Sequence, residues 1–368
     1  MDNLDLETIK NSDAKPHALK KLPPQELFLN DDILRELLQA RAQIAELKGY
    51  CLDYPNPLLL LSPAIIKESL ASSEIENIHT TLIDVFQNSL LPESERRQAD
   101  KEVLRYHEAI MYGYESLKKK PVISNGLAIG IHETLMQVSG QSFREDQNVI
   151  VNQDKKIVFV PPKAEDIPKL MRNWEEYVNS KSNDLKDDPL IKSAIAHYQF
   201  ESIHPFDDGN GRTGRILMVL QLINADLLTA PILYISGYIN RERSDYYRLL
   251  REVTNEGNWN EYVLFMVRGF REQAEKTKEH LLATRALFDE TKHLVRDRLP
   301  SIYSHELIDA IFVSPIITAT VLASKLRVHY ITAGNYLREL QKLKILRSQK
   351  YGRHVMYGNI ELMRLLNK

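Results

Sequence analysis

Residues 216–223, Ile-Leu-Met-Val-Leu-Gln-Leu-Ile, are apolar on nearly every side of a helix. A helix with no face to give to water must sit at the centre of a bundle, so the rest of the chain has to supply its walls. Apolar residues at helical spacing do so. Ile33, Leu34, Leu37, Leu38, Ile44 and Leu47 recur through 31–48, and another helical stretch covers 99–117. Leu190, Ile191, Ala194, Ile195 and Tyr198 mark a helix leading into Ile203. Pro55 and Pro57 interrupt the chain ahead of Ser62-Pro63, an N-cap and first-turn proline that predict a helix through Ile65, Ile66, Ser69 and Leu70 to about Asn77. Helices are expected over 244–250 and from Trp259 to Arg298, where the charged 271–298 stretch reads as a long connector. The arm before residue 31, with Pro16, Pro23 and Pro24 among charges, reads as irregular. The expected fold class is mainly α.

One segment departs from this pattern. Residues 149–151 and 157–160 are β-branched and aromatic, the polar 152–156 separates them, and Pro161-Pro162 ends the second arm. Two short strands are marginal in water, so this hairpin must lean on a helical body or on a ligand. After Pro300 the composition shifts: 301–368 holds ten Lys/Arg and four Asp/Glu, a local charge of +6. Helices over 304–312, 318–326 and 332–343 precede a hairpin turning at Tyr351-Gly352.

The whole chain carries 48 Lys/Arg against 50 Asp/Glu, a net charge of −2, which excludes a nucleic-acid coat or a polybasic membrane binder. The single cysteine, Cys51, excludes an intramolecular disulfide framework and a multi-cysteine metal site, and a reduced compartment is its natural setting. No run of about eighteen apolar residues exists to span a membrane, and Met1 to Lys10 lacks a basic and then apolar leader. A soluble, cytoplasmic protein is expected.

The chemistry is concentrated in residues 204–215, His-Pro-Phe-Asp-Asp-Gly-Asn-Gly-Arg-Thr-Gly-Arg. Residues 209–214 match the glycine fingerprint of dinucleotide-binding folds letter for letter, but that motif needs a preceding buried strand and an acidic residue about twenty positions on. Here a helix and His-Pro precede it, and Thr229 stands at that distance. No Gly-Lys-Ser/Thr follows, so it is no P-loop either. The physical logic still points to phosphate. Glycines let successive N–H groups form an anion nest, which opens into the positive end of an apolar helix. Arg212 and Arg215 are three apart on its first turn and can face one anion. Asp208 stands where a carboxylate can hold Mg²⁺ against the same phosphates, and the His204 imidazole can take a proton from an attacking hydroxyl. Together these describe transfer of a phosphate-containing group.

At these residues the chain resembles the Fic family, whose signature His-Pro-Phe-x-(Asp/Glu)-Gly-Asn-Gly-Arg-x-x-Arg it meets without a mismatch. The similarity extends over roughly 60–270. Phe143-Arg144 and the hairpin ending Val160-Pro161-Pro162 resemble the family's flap, with Asn148 where a hydrophobic residue is common. Tyr246-Tyr247 and Asn255-Glu256-Gly257 resemble its adenosine-side motifs. The resemblance implies a Fic-type helical bundle with a small β-hairpin flap, and a protein adenylyltransferase that moves AMP from ATP to a Ser, Thr or Tyr hydroxyl of a target protein. His204 is then the base, Phe206 the loop anchor and Asp208 the Mg²⁺ ligand. Gly209, Asn210 and Gly211 cradle the α- and β-phosphates, Arg212 and Arg215 hold the β- and γ-phosphates, and Thr213 and Gly214 complete that run. Tyr247 and Asn255 fall on the adenosine side. The flap adds the target backbone as a strand.

Ser72, Glu76 and Asn77 also fit the family's inhibitory pattern (Ser/Thr)-x-x-x-Glu-(Gly/Asn). Ser72 and Glu76 share a helix face, and Asn77 suits a left-handed cap that leaves Glu76 at the helix tip. By this resemblance Glu76 pairs with Arg215 and takes the place of the γ-phosphate. The expected organisation is 1–112 as an N-terminal helical region with the inhibitory helix at about 63–77, 113–270 as the Fic core, 271–300 as connector and 301–368 as a winged-helix-like domain. Its third helix, with Arg338, Lys342, Lys344, Arg347, Lys350 and Arg353, suits either DNA phosphates or a protein partner. A DNA-binding regulator that uses the Fic core to sense nucleotide, and an enzyme that also removes AMP, stay open as alternatives, as do self-modification and a homodimer. His79, His107, His197, His305 and His329 read as structural, and Trp174 and Trp259 as core.

Overall fold

The computed structural model describes residues 15–52, 57–151, 156–182, 184–233, 235–352 and 354–367. Met1 to Lys10, Pro55, the hairpin turn at 152–155 and Arg353 lie outside the described residues, and so does the Ser62 side chain. In chain order the helices are α1 Asp31–Leu52, α2 Pro57–Ile75, α3 Leu82–Ser89, α4 Gln98–Lys119, α5 Asn125–Met136, α6 Ile167–Asn179, α7 Pro189–Ile203 and α8 Asn210–Asn224. They continue as α9 Ile235–Arg241, α10 Arg243–Glu256, α11 Trp259–Arg298, α12 His305–Val313, α13 Ala319–Leu326, α14 Tyr330–Lys342 and α15 Ile360–Leu366. Five short strands, β1 Ile150–Val151, β2 Ile157–Phe159, β3 Ile316–Ile317, β4 Leu346–Tyr351 and β5 His354–Asn359, complete a mainly helical chain. It folds as two compact units, each discontinuous in sequence.

The first unit gathers the arm up to Leu37 with Glu108–Asp226 and Ser244–Val267. At its centre α8 is buried continuously from Arg212 to Leu222, as an all-apolar helix requires. It packs on α5 and α7, and α7 packs on α6, where Trp174 lies wholly in the core and donates its indole N–H to Ala196 O at 2.9 Å. β1 and β2 pair antiparallel, Ile150 opposite Phe159. The described part of the arm, 15–30, is irregular, but it is stitched to the body. Asn173 holds Leu22 through both its N–H (2.7 Å) and its carbonyl (3.1 Å), Gln199 donates to Lys20 O, and the His17 N–H donates to Val160 O at 2.9 Å.

The second unit holds Leu38–His107, Leu227–Arg243 and the chain from Arg268 on. α2 starts at Pro57, six residues before the expected proline, and carries Pro63 inside it. The helix is already running through the leucines at 58–61 when it meets Pro63, so the Ser-Pro pair marks no start. Its end is as expected. Asn77 takes a left-handed conformation (φ 60°), Asn77 N–H donates to Glu74 O and Ile78 N–H to Ser73 O, the paired bonds of a Schellman cap. Arg243 adds a guanidinium on Ile75 O at 2.6 Å, a cation at the negative end of the helix. Farther along, β3, β5 and β4 form an antiparallel sheet in that order, with Leu346 opposite Asn359 and Tyr351 opposite His354. The chain turns at Gly352 (φ 57°), as expected, but β3 and α15 had no clear sequence signal. β3 is two residues long and exists through its pairing with β5.

Candidate active site

The site is built where α7 stops and α8 starts, both in the first unit. α7 closes on His204, whose left-handed conformation (φ 51°, ψ 60°) lets its N–H bond Phe200 O at 3.0 Å and turns the chain out before Pro205. His204 is half-buried, and its Nδ1 lies 3.3 Å from Glu201 O. Two residues on, Phe206 is driven into the core, with its ring stacked on His132 at 3.9 Å between centroids. Asn210 then clamps the loop: its Oδ1 accepts the Phe206 N–H at 2.9 Å and its Nδ2 donates to Phe206 O at 2.7 Å. The Asn210 side chain is therefore a structural staple, with both ends of its amide taken up by Phe206.

Gly209 opens α8 with φ 76°, a conformation that favours glycine, and a Cβ there would lie 2.9 Å from Met136 Sδ. The first intrahelical bond runs from Thr213 N–H to Gly209 O, so the N–H groups ahead of it point out of the helix end. Thr213 and Gly214 face the body instead. Thr213 is fully buried, and a Cβ on Gly214 would meet Glu201 Oε1 at 2.5 Å and Phe200 at 3.2 Å, so this glycine lets α8 approach α7.

The two arginines have separate surroundings. Arg212 lies 3.8 Å from Met136 Sδ, and its charge helps hold the His132 imidazole below its ordinary pKa, after burial, which is the larger cause. Arg215 is 2% exposed. Burial and then the Arg215 charge depress His197 to about 3, so that imidazole is neutral and bonds the Tyr246 hydroxyl at 2.7 Å. Tyr246 is thus a buried support, whereas Tyr247 is 38% exposed and Asn255 lies exposed on α10. Asp207 and Asp208 are both exposed. They differ in that Asp208 Oδ1 accepts the Gly209 N–H at 2.7 Å and its carbonyl meets His132 Nε2 at 2.9 Å.

Arg144 ties these parts together. Its guanidinium donates to His204 O (2.9 Å), Asp146 O (2.7 Å) and Pro162 O (2.6 Å), and its own N–H donates to Pro205 O. One buried side chain thereby fixes the 204–209 loop against the base of the hairpin, and burial lowers its pKa to about 10. Asn148 donates to Phe206 O at 3.3 Å, which accounts for a polar residue just ahead of β1. His132, Met136 and the full reach of Arg144 are the site residues that sequence spacing missed. Arg144→Ala removes three donors from carbonyls that stay in place. The expected outcome is a loss of about 1–3 kcal/mol in unfolding free energy. Activity should fall by about 10²-fold if the loop shifts by an ångström, checked by thermal melts beside transfer assays.

Ser72 is fully buried in α2, and Glu76 is half-buried at its tip. They belong to the second compact unit, and residues 204–215 to the first.

Family models match three segments: the Fic/DOC family over 122–222, the Fic/DOC family N-terminal over 34–115, and the protein adenylyltransferase SoFic-like C-terminal domain over 287–362. Among curated relatives, the protein adenylyltransferase Fic of Drosophila mojavensis is 32% identical over 170 residues, 45% of this chain and 31% of that protein. That of Drosophila grimshawi is 33% identical over 170 residues, 45% of this chain and 32% of its own. The matched region thus spans about a third of the length of these relatives. The crystal structure of a Fic family protein from Desulfovibrio desulfuricans G20 superposes with a TM-score of 0.58 at 24% identity, covering 92% of this chain and 98% of that one. Fic-1 (aa134–508) from C. elegans gives 0.50 at 20% identity over 70% and 72%. These likenesses establish the fold.

Proposed function

We propose that this chain, which belongs to the Fic/DOC family, is a protein adenylyltransferase that moves AMP from ATP to a Ser, Thr or Tyr hydroxyl of a target protein. The observation that carries this reading is the unbroken 204–215 signature, folded with an imidazole at the end of α7 and with the first N–H groups of α8, which we read as an anion nest, pointing out of the helix end. The target oxygen attacks the α-phosphorus, the bond from the α-phosphorus to the bridging oxygen breaks, and pyrophosphate leaves. His204 takes the hydroxyl proton. The N–H groups opening α8 bind the α- and β-phosphates, Arg212 the β- and Arg215 the γ-phosphate, with Tyr247 and Asn255 beside the adenosine. Incubation of the chain and of its Glu76→Gly variant with ATP labelled in the α-phosphate, followed by a gel, tests the activity. Label that stays off both chains and every protein of a lysate overturns it.

Mg²⁺ fits this site in one form. The described residues hold no group of three or more His, Cys, Asp or Glu side chains that would cage a metal. Asp208 offers one exposed carboxylate beside the nest, the donor set of an ion that arrives on phosphates. When bound, the ion would neutralise phosphate charge. Asp208→Ala is expected to lower transfer by about 10²-fold and to flatten its dependence on Mg²⁺. Asp207→Ala, one residue farther from the nest, is expected to stay near wild type. Titrating Mg²⁺ against both variants checks this, and equal losses count against the assignment.

In the same reading Glu76 restrains the enzyme by pairing with Arg215 in place of the γ-phosphate. The left-handed Asn77 and the Arg243 contact on Ile75 O support it, since both fix the helix end that presents Glu76. Residues 301–368 are read as a winged-helix-like domain from their order: helix, strand, two helices and a β-hairpin.

A further inference from the structure

From α5, His132 touches the 204–215 loop through each side of its ring. The ring stacks on Phe206, and its Nε2 lies 2.9 Å from Asp208 O. Its Cδ2 lies 3.5 Å from where a Cβ on Gly209 would stand. A carbonyl only accepts, so Nε2 carries the proton and donates it. Nδ1 is then a bare acceptor, buried with no hydrogen-bond partner among the described residues. An unpaired buried acceptor costs stability, and a phenyl ring would stack on Phe206 without that cost. What the imidazole adds over a phenyl ring is therefore the bond to Asp208 O.

That bond acts on one peptide plane. Asp208 O and the Gly209 N–H belong to the same rigid unit, so fixing the carbonyl fixes the direction of the N–H. The Gly209 N–H in turn donates to Asp208 Oδ1 at 2.7 Å, the one hydrogen bond that holds this exposed carboxylate among the described residues.

We propose that His132 is a positioning residue: by holding Asp208 O it sets the 208–209 peptide and, through the Gly209 N–H, the direction in which the Asp208 carboxylate is presented. The chain of bonds stands on the geometry of the ligand-free loop. Its consequence for transfer rests on the reading of Asp208 as the Mg²⁺ carboxylate of an adenylyltransferase. Partners that orient a metal ligand from behind act in this way.

Asp208-Gly209 is the one Asp-Gly pair in the sequence, so labelling the aspartate carbonyl and the glycine nitrogen together isolates the Gly209 amide in NMR spectra. Its hydrogen exchange is measured in the ligand-free chain. The Trp174 indole N–H, which bonds Ala196 O in the same unit, is the control. His132→Phe keeps a ring and loses the donor, whereas His132→Gln loses the ring and keeps a donor. His132→Phe should speed exchange at Gly209 about tenfold with the indole unchanged, and His132→Gln should keep most of the protection. Added to the Glu76→Gly chain, His132→Phe should also raise the Mg²⁺ needed for half-maximal transfer about 10–100-fold, and His132→Gln far less. His132→Leu takes the place of His132→Phe if the larger ring prevents folding. Gly209 exchange that is unchanged without the donor, that rises in step with the indole, or that is as fast in His132→Gln as in His132→Phe overturns the proposal. So does a Mg²⁺ dependence that no variant moves. Absence of transfer from every chain, Glu76→Gly included, is instead a failure of the adenylyl-transfer reading, and the exchange rates then still decide whether His132 sets the Asp208 carboxylate.

Discussion

His204→Ala is expected to lose adenylyl transfer by about 10²–10⁴-fold while ATP binds with nearly unchanged affinity. The split follows from the local architecture. His204 ends α7, whereas the groups assigned to phosphate begin at Gly209 and belong to α8. The loop between them is not held by the imidazole. It is anchored by Phe206 in the core, by both ends of the Asn210 amide and by Arg144 on the His204 carbonyl, a backbone atom that alanine keeps. The substitution therefore removes a proton acceptor and leaves its scaffold. Transfer rates paired with ATP affinity by calorimetry give the answer. A variant that transfers at the wild-type rate would remove the base assignment, and one that no longer binds ATP would show that His204 also shapes the nest.

Glu76→Gly is expected to raise transfer well above wild type, by about 10²-fold where misplacement of the α-phosphate near 1 Å is what restrains the enzyme. If Glu76 pairs with Arg215, ATP loses its γ-phosphate ligand and meets a carboxylate in that place, so it binds with the α-phosphate turned from in-line attack. Removing the carboxylate releases both constraints at once. The helix should survive the change, because Glu76 is the last position before the left-handed Asn77 and the capping bonds come from the backbone N–H groups of Asn77 and Ile78. Arg215→Ala is the control: it breaks the same pair but deletes a phosphate ligand, so it should not activate fully. Unchanged or lower transfer by a Glu76→Gly chain of equal stability would return Glu76 to an ordinary helix end.

What could be read beforehand was whatever is decided locally. An apolar octapeptide announced the buried centre of the bundle, the β-branched arms announced the hairpin, and an asparagine after Glu76 announced the cap. What could not be read depends on partners distant in sequence. Nothing in the spacing places His132 on the ring of Phe206, or Arg144 on three carbonyls spread from Asp146 to His204. Gly214 shows the opposite error, a letter shared with phosphate-binding motifs whose role here is to admit the side chains of α7. Pro63 misled because a proline is permitted at a first turn without requiring one. Residues 38–107 and 227–243 share a compact unit with the C-terminal third, a grouping no linear scan can propose.

The clamp made by Asn210 also bears on how the protein ages. An asparagine followed by glycine is the pair most prone to lose its amide, because the next backbone nitrogen can attack the side-chain carbonyl when little steric bulk opposes it. In the folded chain that attack is blocked: Asn210 is buried, both ends of its amide are bonded to Phe206, and Gly211 is already set in the first turn of α8. Once the loop opens, hydrolysis can leave aspartate, which lacks the donor for Phe206 O and sets a carboxylate against that carbonyl. The chemical lifetime of the loop is thus set by how seldom it unfolds.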